Sequence, residues 1–152
     1  MEEKKESKSS NELLEDRFTK ERIYWKRQVT DISGKMKDLR NIPEIEVSAF
    51  SQRQIALEYT HFLMEQVSKV NAHLRKLKKE RFLFYTNGYD IKLDKAPREM
   101  FILVDLEKSV IKKEFLDNHL SYMRASVDSL DKIIWGIKWR LTFEGFIRDK
   151  DK

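Results

Sequence analysis

LDNHLSYMRASVDSLDKIIWGIKWRL, Leu116 to Leu141, carries apolar residues at alternating steps of four and three: Leu116, Leu120, Met123, Val127, Leu130, Ile134, Ile137 and Leu141. That spacing holds one stripe on one side of an α-helix for about four heptads and demands a helical neighbour. A second seam runs through Leu63, Val67, Val70, Leu74 and Leu77 and continues to Arg81 and Phe84, which puts a cation into an otherwise apolar line. Leu14, Phe18, Trp25, Val29, Ile32, Met36 and Leu39 mark a third stripe. Only four Gly and two Pro punctuate the 152 residues, so turns are few and sheets are disfavoured. The sequence therefore predicts an all-α protein of long helices with a coiled-coil-like C-terminal helix. The seam from Leu116 fits either an intramolecular bundle with the second helix or self-association. Trp135 and Trp139 lie on its flank, and a helix with large apolar residues on more than one face implies more than one neighbour.

Local signals set the expected boundaries. Residues 1–9 mix charges and serine without periodicity and read as a disordered tail. Ser10 or Asn11 is expected to cap the first helix, with Gly34 as its weak point and Pro43 as its end. The second helix is expected from Ser48 or Ser51 to Thr86, where Asn87-Gly88 supplies a left-handed stop. Tyr89 to Pro97 reads as a loop. The run Met100 to Val104 is too short for periodicity to separate strand from helix, and helix is favoured.

Several chemistries are missing from the chain. The absence of cysteine removes disulfides, thiolate zinc sites and cysteine nucleophiles together. Gly34, Gly88, Gly136 and Gly145 are too far apart for a phosphate-cradling loop, which needs clustered glycines for close backbone approach. His61, His73 and His119 show no helical pair at metal spacing. Asp105-Leu106-Glu107-Lys108 superficially resembles the acidic-plus-lysine cluster of some nucleases, but on a helix these residues fan around the axis. No catalytic residue, metal or cofactor is expected. No apolar run approaches a membrane span and no apolar signal core follows the charged N-terminus, so a soluble cytoplasmic protein is expected, in the host cytoplasm if the protein is viral.

The net charge is local. From Lys69 to Arg81 six basic residues (Lys69, Arg75, Lys76, Lys78, Lys79, Arg81) stand against Glu80 alone, which equals the +5 of the whole chain. Arg75, Lys78, Lys79 and Phe82 fall at i, i+3, i+4 and i+7, on one helical face. Clustered cations bind phosphate backbones, and the neighbouring Phe82, Phe84 and Tyr85 offer flat faces for unpaired bases. A solvated basic face with core aromatics is the simpler account of such a run.

Lys79-Glu80-Arg81-Phe82-x-x-Tyr85-Thr86, followed by Asn87-Gly88, resembles the signature of the UvsY-like phage recombination mediators, a Lys-x-Arg-apolar-x-aromatic-Tyr-Ser/Thr-Gly pattern at the end of a helix. Asn87 stands as an apparent insertion before the glycine, and Phe84 occupies a position where tyrosine is common. With Ser51–Leu77 as the leading helix and residues 99–147 as variable loop and helical tail, the resemblance covers about two-thirds of the chain. It implies a non-enzymatic mediator that binds single-stranded DNA, remodels a single-strand-binding protein and loads a RecA-like recombinase. Lys79 and Arg81 would hold phosphates, Arg75, Lys76 and Lys78 would assist, and Phe82 or Tyr85 would stack on bases. The seam from Leu116 to Leu141 would build a ring-like homo-oligomer, a hexamer or heptamer. The implied division is a tail (1–9), a helical DNA-binding region (10–96), a helical oligomerisation region (97–147) and a charged tail (148–152). The alternative is a structural coiled-coil adaptor or scaffold without nucleic-acid activity.

Overall fold

The computed structural model describes residues 9–150, so the expected N-terminal tail, apart from Ser9, and residues 151–152 lie outside it. Three helices account for most of the described chain: α1 (Ser10–Lys35), α2 (Ile42–Leu83) and α3 (Lys95–Lys150). A 3-10 turn at Leu39–Asn41 separates α1 from α2, and a π-helical turn at Phe84–Gly88 follows α2. No strand occurs among the described residues, and Met100–Val104 lies within α3.

The helix ends follow from local chemistry, with several corrections to the sequence reading. Ser9, not Ser10 or Asn11, caps α1. Its hydroxyl accepts from the Glu12 backbone N–H at 3.3 Å, and Glu12 Oε2 accepts from the Ser9 N–H at 2.7 Å, a reciprocal capping box. Pro43 does not terminate α1. It sits in the first turn of α2, where a missing N–H costs no intrahelical bond, so α2 starts at Ile42, ahead of Ser48. Pro97 plays the same part in the first turn of α3, which takes Lys95–Pro97 out of the expected loop. At the end of α2 no described residue has positive φ, so Asn87-Gly88 is not a left-handed stop. The chain widens into the π turn and leaves it at Tyr89 in an extended conformation (φ −98°, ψ 135°). A π turn accommodates one residue more than an α turn, which fits five residues, Phe84–Gly88, into it. Arg148 to Lys150, expected as tail, continue α3.

The chain divides into two compact units, each drawing on all three helices. One takes the chain up to Phe18 with Leu63–His119, the other Thr19–Phe62 with the chain from Leu120 onward. The linear division expected at 96 and 97 falls inside the first turn of α3.

The second unit holds most of the core: Trp25 and Ile32 of α1, Ile42, Ile45, Ala49 and Ala56 of α2, and Leu120, Met123, Val127, Leu130, Ile133, Ile134 and Ile137 of α3 are buried. Its polar ties are a two-point pair between Arg53 and Asp131, a hydrogen bond from Tyr59 Oη to Glu21, and one from Tyr122 Oη to the Arg22 carbonyl at 2.8 Å. The first unit is sparser. Phe18, Leu63, Ile102, Leu106 and Leu116 are buried, with the Phe18 ring stacked on the buried His119 (centroids 4.1 Å apart, planes 14° apart). Val67, Val70, Leu74, Leu77 and Arg81 face inward but remain half-buried, and Phe84 is exposed.

The seam expected to drive oligomerisation is therefore covered from within the chain: Leu116, Leu120, Met123, Val127, Leu130, Ile134 and Ile137 are all buried, and only Leu141 is exposed. Truncating Leu130, which is fully buried, removes apolar contacts and leaves a cavity. Leu130→Ala is expected to cost about 2–5 kcal/mol. Urea unfolding followed by circular dichroism checks this, since Leu141→Ala, at an exposed end of the same seam, should shift the midpoint far less.

Candidate nucleic-acid interface

Within the first unit α2 runs into the π turn and α3 returns from it, so the last turns of α2 lie beside the first turns of α3. The two helices use the same spacing at this end. Arg75, Lys78, Lys79 and Phe82 on α2 face Lys95, Arg98, Glu99 and Ile102 on α3, each set at i, i+3, i+4 and i+7, and Leu103 completes the lining. The groove between them has a volume of about 790 Å3. Its walls carry five cations against the single carboxylate of Glu99, over an apolar floor of Phe82, Ile102 and Leu103.

Ion pairing sorts the basic run in two. Lys69 is paired with Glu65 at 2.7 Å, Lys76 faces Glu80 at 3.9 Å, and Arg81 faces Asp105 at 3.4 Å. Arg75, Lys78 and Lys79 have no carboxylate partner among the described residues, and all three line the groove. Thus the structure brings together Arg75, Lys78, Lys79 and Phe82 from the expected site. Lys76 points to the outer side of α2 and Arg81 to α3, because a residue one or two positions from a groove residue is rotated by about 100–200° around the helix.

Tyr85 also turns away from the groove. Its hydroxyl donates to Asp105 Oδ2 at 2.9 Å, and its ring stacks on Phe101 (5.7 Å, 21°) and meets the edges of Phe84 and Tyr89. The Asp105 carboxylate, through this hydrogen bond first, holds the Tyr85 phenol above the ordinary tyrosine range. Desolvation and the carboxylate charge push the same way, and Arg81 opposes them. Asp105 is thus tied to α2 and the π turn, and no group of three metal-ligating side chains occurs among the described residues.

Two cations were not singled out from the sequence. Lys95 and Arg98 stand outside the basic run, but the turn back into α3 places them opposite it. Arg98 lies over the Phe82 ring at 5.1 Å from its centroid, and its Nη1 donates to Thr86 Oγ1 at 3.1 Å. Their shared i, i+3 spacing with Glu99 and Ile102 was the available signal, hidden because the start of α3 reads as loop.

The raised Tyr85 value gives a test of this geometry. Because the folded value is raised, the stabilisation from this hydrogen bond is fully present below the ordinary tyrosine pKa and is lost as pH rises through the elevated Tyr85 value. In an ultraviolet titration Tyr85 should ionise after an ordinary exposed tyrosine. Tyr85→Phe should remove that late component, and Asp105→Ala should move it down; an unchanged curve in both variants would contradict the contact. Compared with known proteins, the chain matches no family model, no curated protein and no solved structure.

Proposed function

We propose that the α2–α3 groove binds single-stranded nucleic acid and that the chain is a non-enzymatic recombination or replication mediator. One observation carries the reading: the cations of the basic run that lack a carboxylate are those facing Lys95 and Arg98 across a groove floored by Phe82. Two rows of cations suit a flexible polyanion, and an exposed ring between them suits an unpaired base. The motif resemblance narrows the ligand to single-stranded DNA, and the partners to a single-strand-binding protein and a RecA-like recombinase in the cytoplasm.

Self-association belongs to the same proposal, on a surface other than the buried seam. Along α3, Trp135, Trp139, Phe143 and Phe146 are exposed by 63%, 73%, 67% and 67%. An aromatic side chain offers roughly 150–250 Å2. Four rings at these exposures present on the order of 500 Å2, at the upper end of what a monomer shows. The half-exposed Ile147 at its flank extends the stripe towards the ~800 Å2 per partner of a stable interface. A second copy of α3 offers a stripe of the same chemistry. Repetition around a ring, with six or seven subunits as the resemblance implies, would turn several weak grooves into one tight strand-binding surface.

Each half has its own test. If the five groove cations each neutralise a phosphate, log affinity for oligo-dT falls with log salt at a slope of about −3.5, and Lys78→Ala with Lys79→Ala brings it to about −2. Lys69→Ala and Lys76→Ala, in residues already paired, should change affinity much less. For assembly, Trp139→Glu should lower the mass seen by light scattering and keep the helical fold. Ile134→Glu, which buries an unpaired charge in the core, should unfold the chain. A wild-type protein that assembles without retaining oligo-dT at low salt would replace this reading with that of a structural coiled-coil adaptor.

A further inference from the structure

Phe82 is 48% exposed and lies on the groove floor, yet one face of its ring is covered by the Arg98 guanidinium. The other rings at this end of the unit occupy one another: Tyr85 stacks on Phe101 and meets Tyr89, and Phe84 meets both tyrosines. Phe82 is outside that cluster and is the aromatic residue lining the groove. Arg98 is held over it by a single side-chain hydrogen bond, to Thr86 Oγ1, and has no carboxylate partner among the described residues. A guanidinium 5.1 Å from the ring centroid occupies the space that a base stacked on that face would take.

Resting on the reading of the groove as a single-strand site, we propose that Arg98 is the movable cover of a nucleobase slot. An unpaired base stacks on the Phe82 face that Arg98 occupies in the free protein, and the displaced guanidinium passes to the adjoining phosphate. The exchange is balanced for a single strand. The ring gives up a cation and gains a flat π-surface, while the guanidinium gives up a neutral hydroxyl acceptor and a ring face and gains an anion. A paired base cannot make the exchange without leaving its duplex, and an abasic strand offers the phosphate without the flat face. The slot therefore gives the site a preference for base-bearing single strands that the cation rows alone do not supply.

The test compares oligo-dT with an abasic oligonucleotide of the same length, which carries the same phosphates, by fluorescence anisotropy. Wild type should prefer oligo-dT by roughly 5- to 100-fold, the range that stacking of one base provides. Phe82→Leu, which keeps apolar volume and loses the flat face, should abolish the preference, so that the two strands bind with equal affinity. Arg98→Ala should weaken both strands and keep the preference, because the slot is then uncovered but one phosphate contact is lost. In the free protein the Arg98 side-chain NMR signals should show the ring-current shift of a group over Phe82, and oligo-dT should remove it. Equal wild-type affinity for the two strands overturns the slot and leaves the groove reading standing, whereas binding of neither strand overturns both. Loss of the preference in Arg98→Ala, as in Phe82→Leu, would make Arg98 a stacking partner and overturn its role as a cover.

Discussion

Asp105 accepts a hydrogen bond from Tyr85 at 2.9 Å and faces the Arg81 guanidinium at 3.4 Å, so one carboxylate of α3 holds both the last turn of α2 and the π turn after it. The arrangement of the candidate site depends on this contact. With Arg81 and Tyr85 directed at α3, the residues a turn away on the neighbouring face, Arg75, Lys78, Lys79 and Phe82, are the ones that border the groove. Arg81 is the cation that interrupts the apolar seam, and Asp105 explains why it is tolerated there. A half-buried cation in an apolar line is stabilised by a carboxylate within a few ångströms.

The thin core of the same unit leaves the groove open. The Asn11 side-chain amide donates to the Lys108 carbonyl at 3.0 Å, close to where α1 starts, so the turns of α3 before that point have α2 beside them and no described part of α1. Two helices cannot bury a stripe on each as three can. Val70, Leu74 and Leu77 stay half-buried, and Met100, Leu103 and Val104 stay exposed. The other unit, where segments of all three helices pack together, buries a continuous seam from Leu120 to Ile137. Binding surfaces are commonly drawn from the less tightly packed part of a fold, where side chains retain freedom to meet a ligand.

The helices were legible in the sequence because their apolar spacing is long and regular. Their ends were less so, because a proline reads equally as a stop and as a first-turn residue, and only the location of the preceding turn tells them apart; Pro43 and Pro97 both proved to be starts. The seam of α3 was visible, but periodicity states that a neighbour is needed and not whether it comes from the same chain. For the site, the basic run identified one wall. The other wall, Lys95 and Arg98, is set by how the π turn returns the chain, and the sorting of Lys76 and Arg81 away from the groove depends on Glu80 and Asp105, whose reach to those cations depends on helix phase and tertiary pairing.

A strand lying between the two cation rows would touch α2 and α3 together, and the aromatic floor would meet its bases. Photo-crosslinking of an oligo-dT analogue carrying halogenated uracil, with the attachment sites mapped by mass spectrometry, tests that placement most directly. The account predicts adducts at Phe82 and in the peptides carrying Arg75 to Lys79 and Lys95 to Arg98. Adducts confined to the α1 peptides or to the tryptophan stripe of α3, with none at the groove, would contradict it.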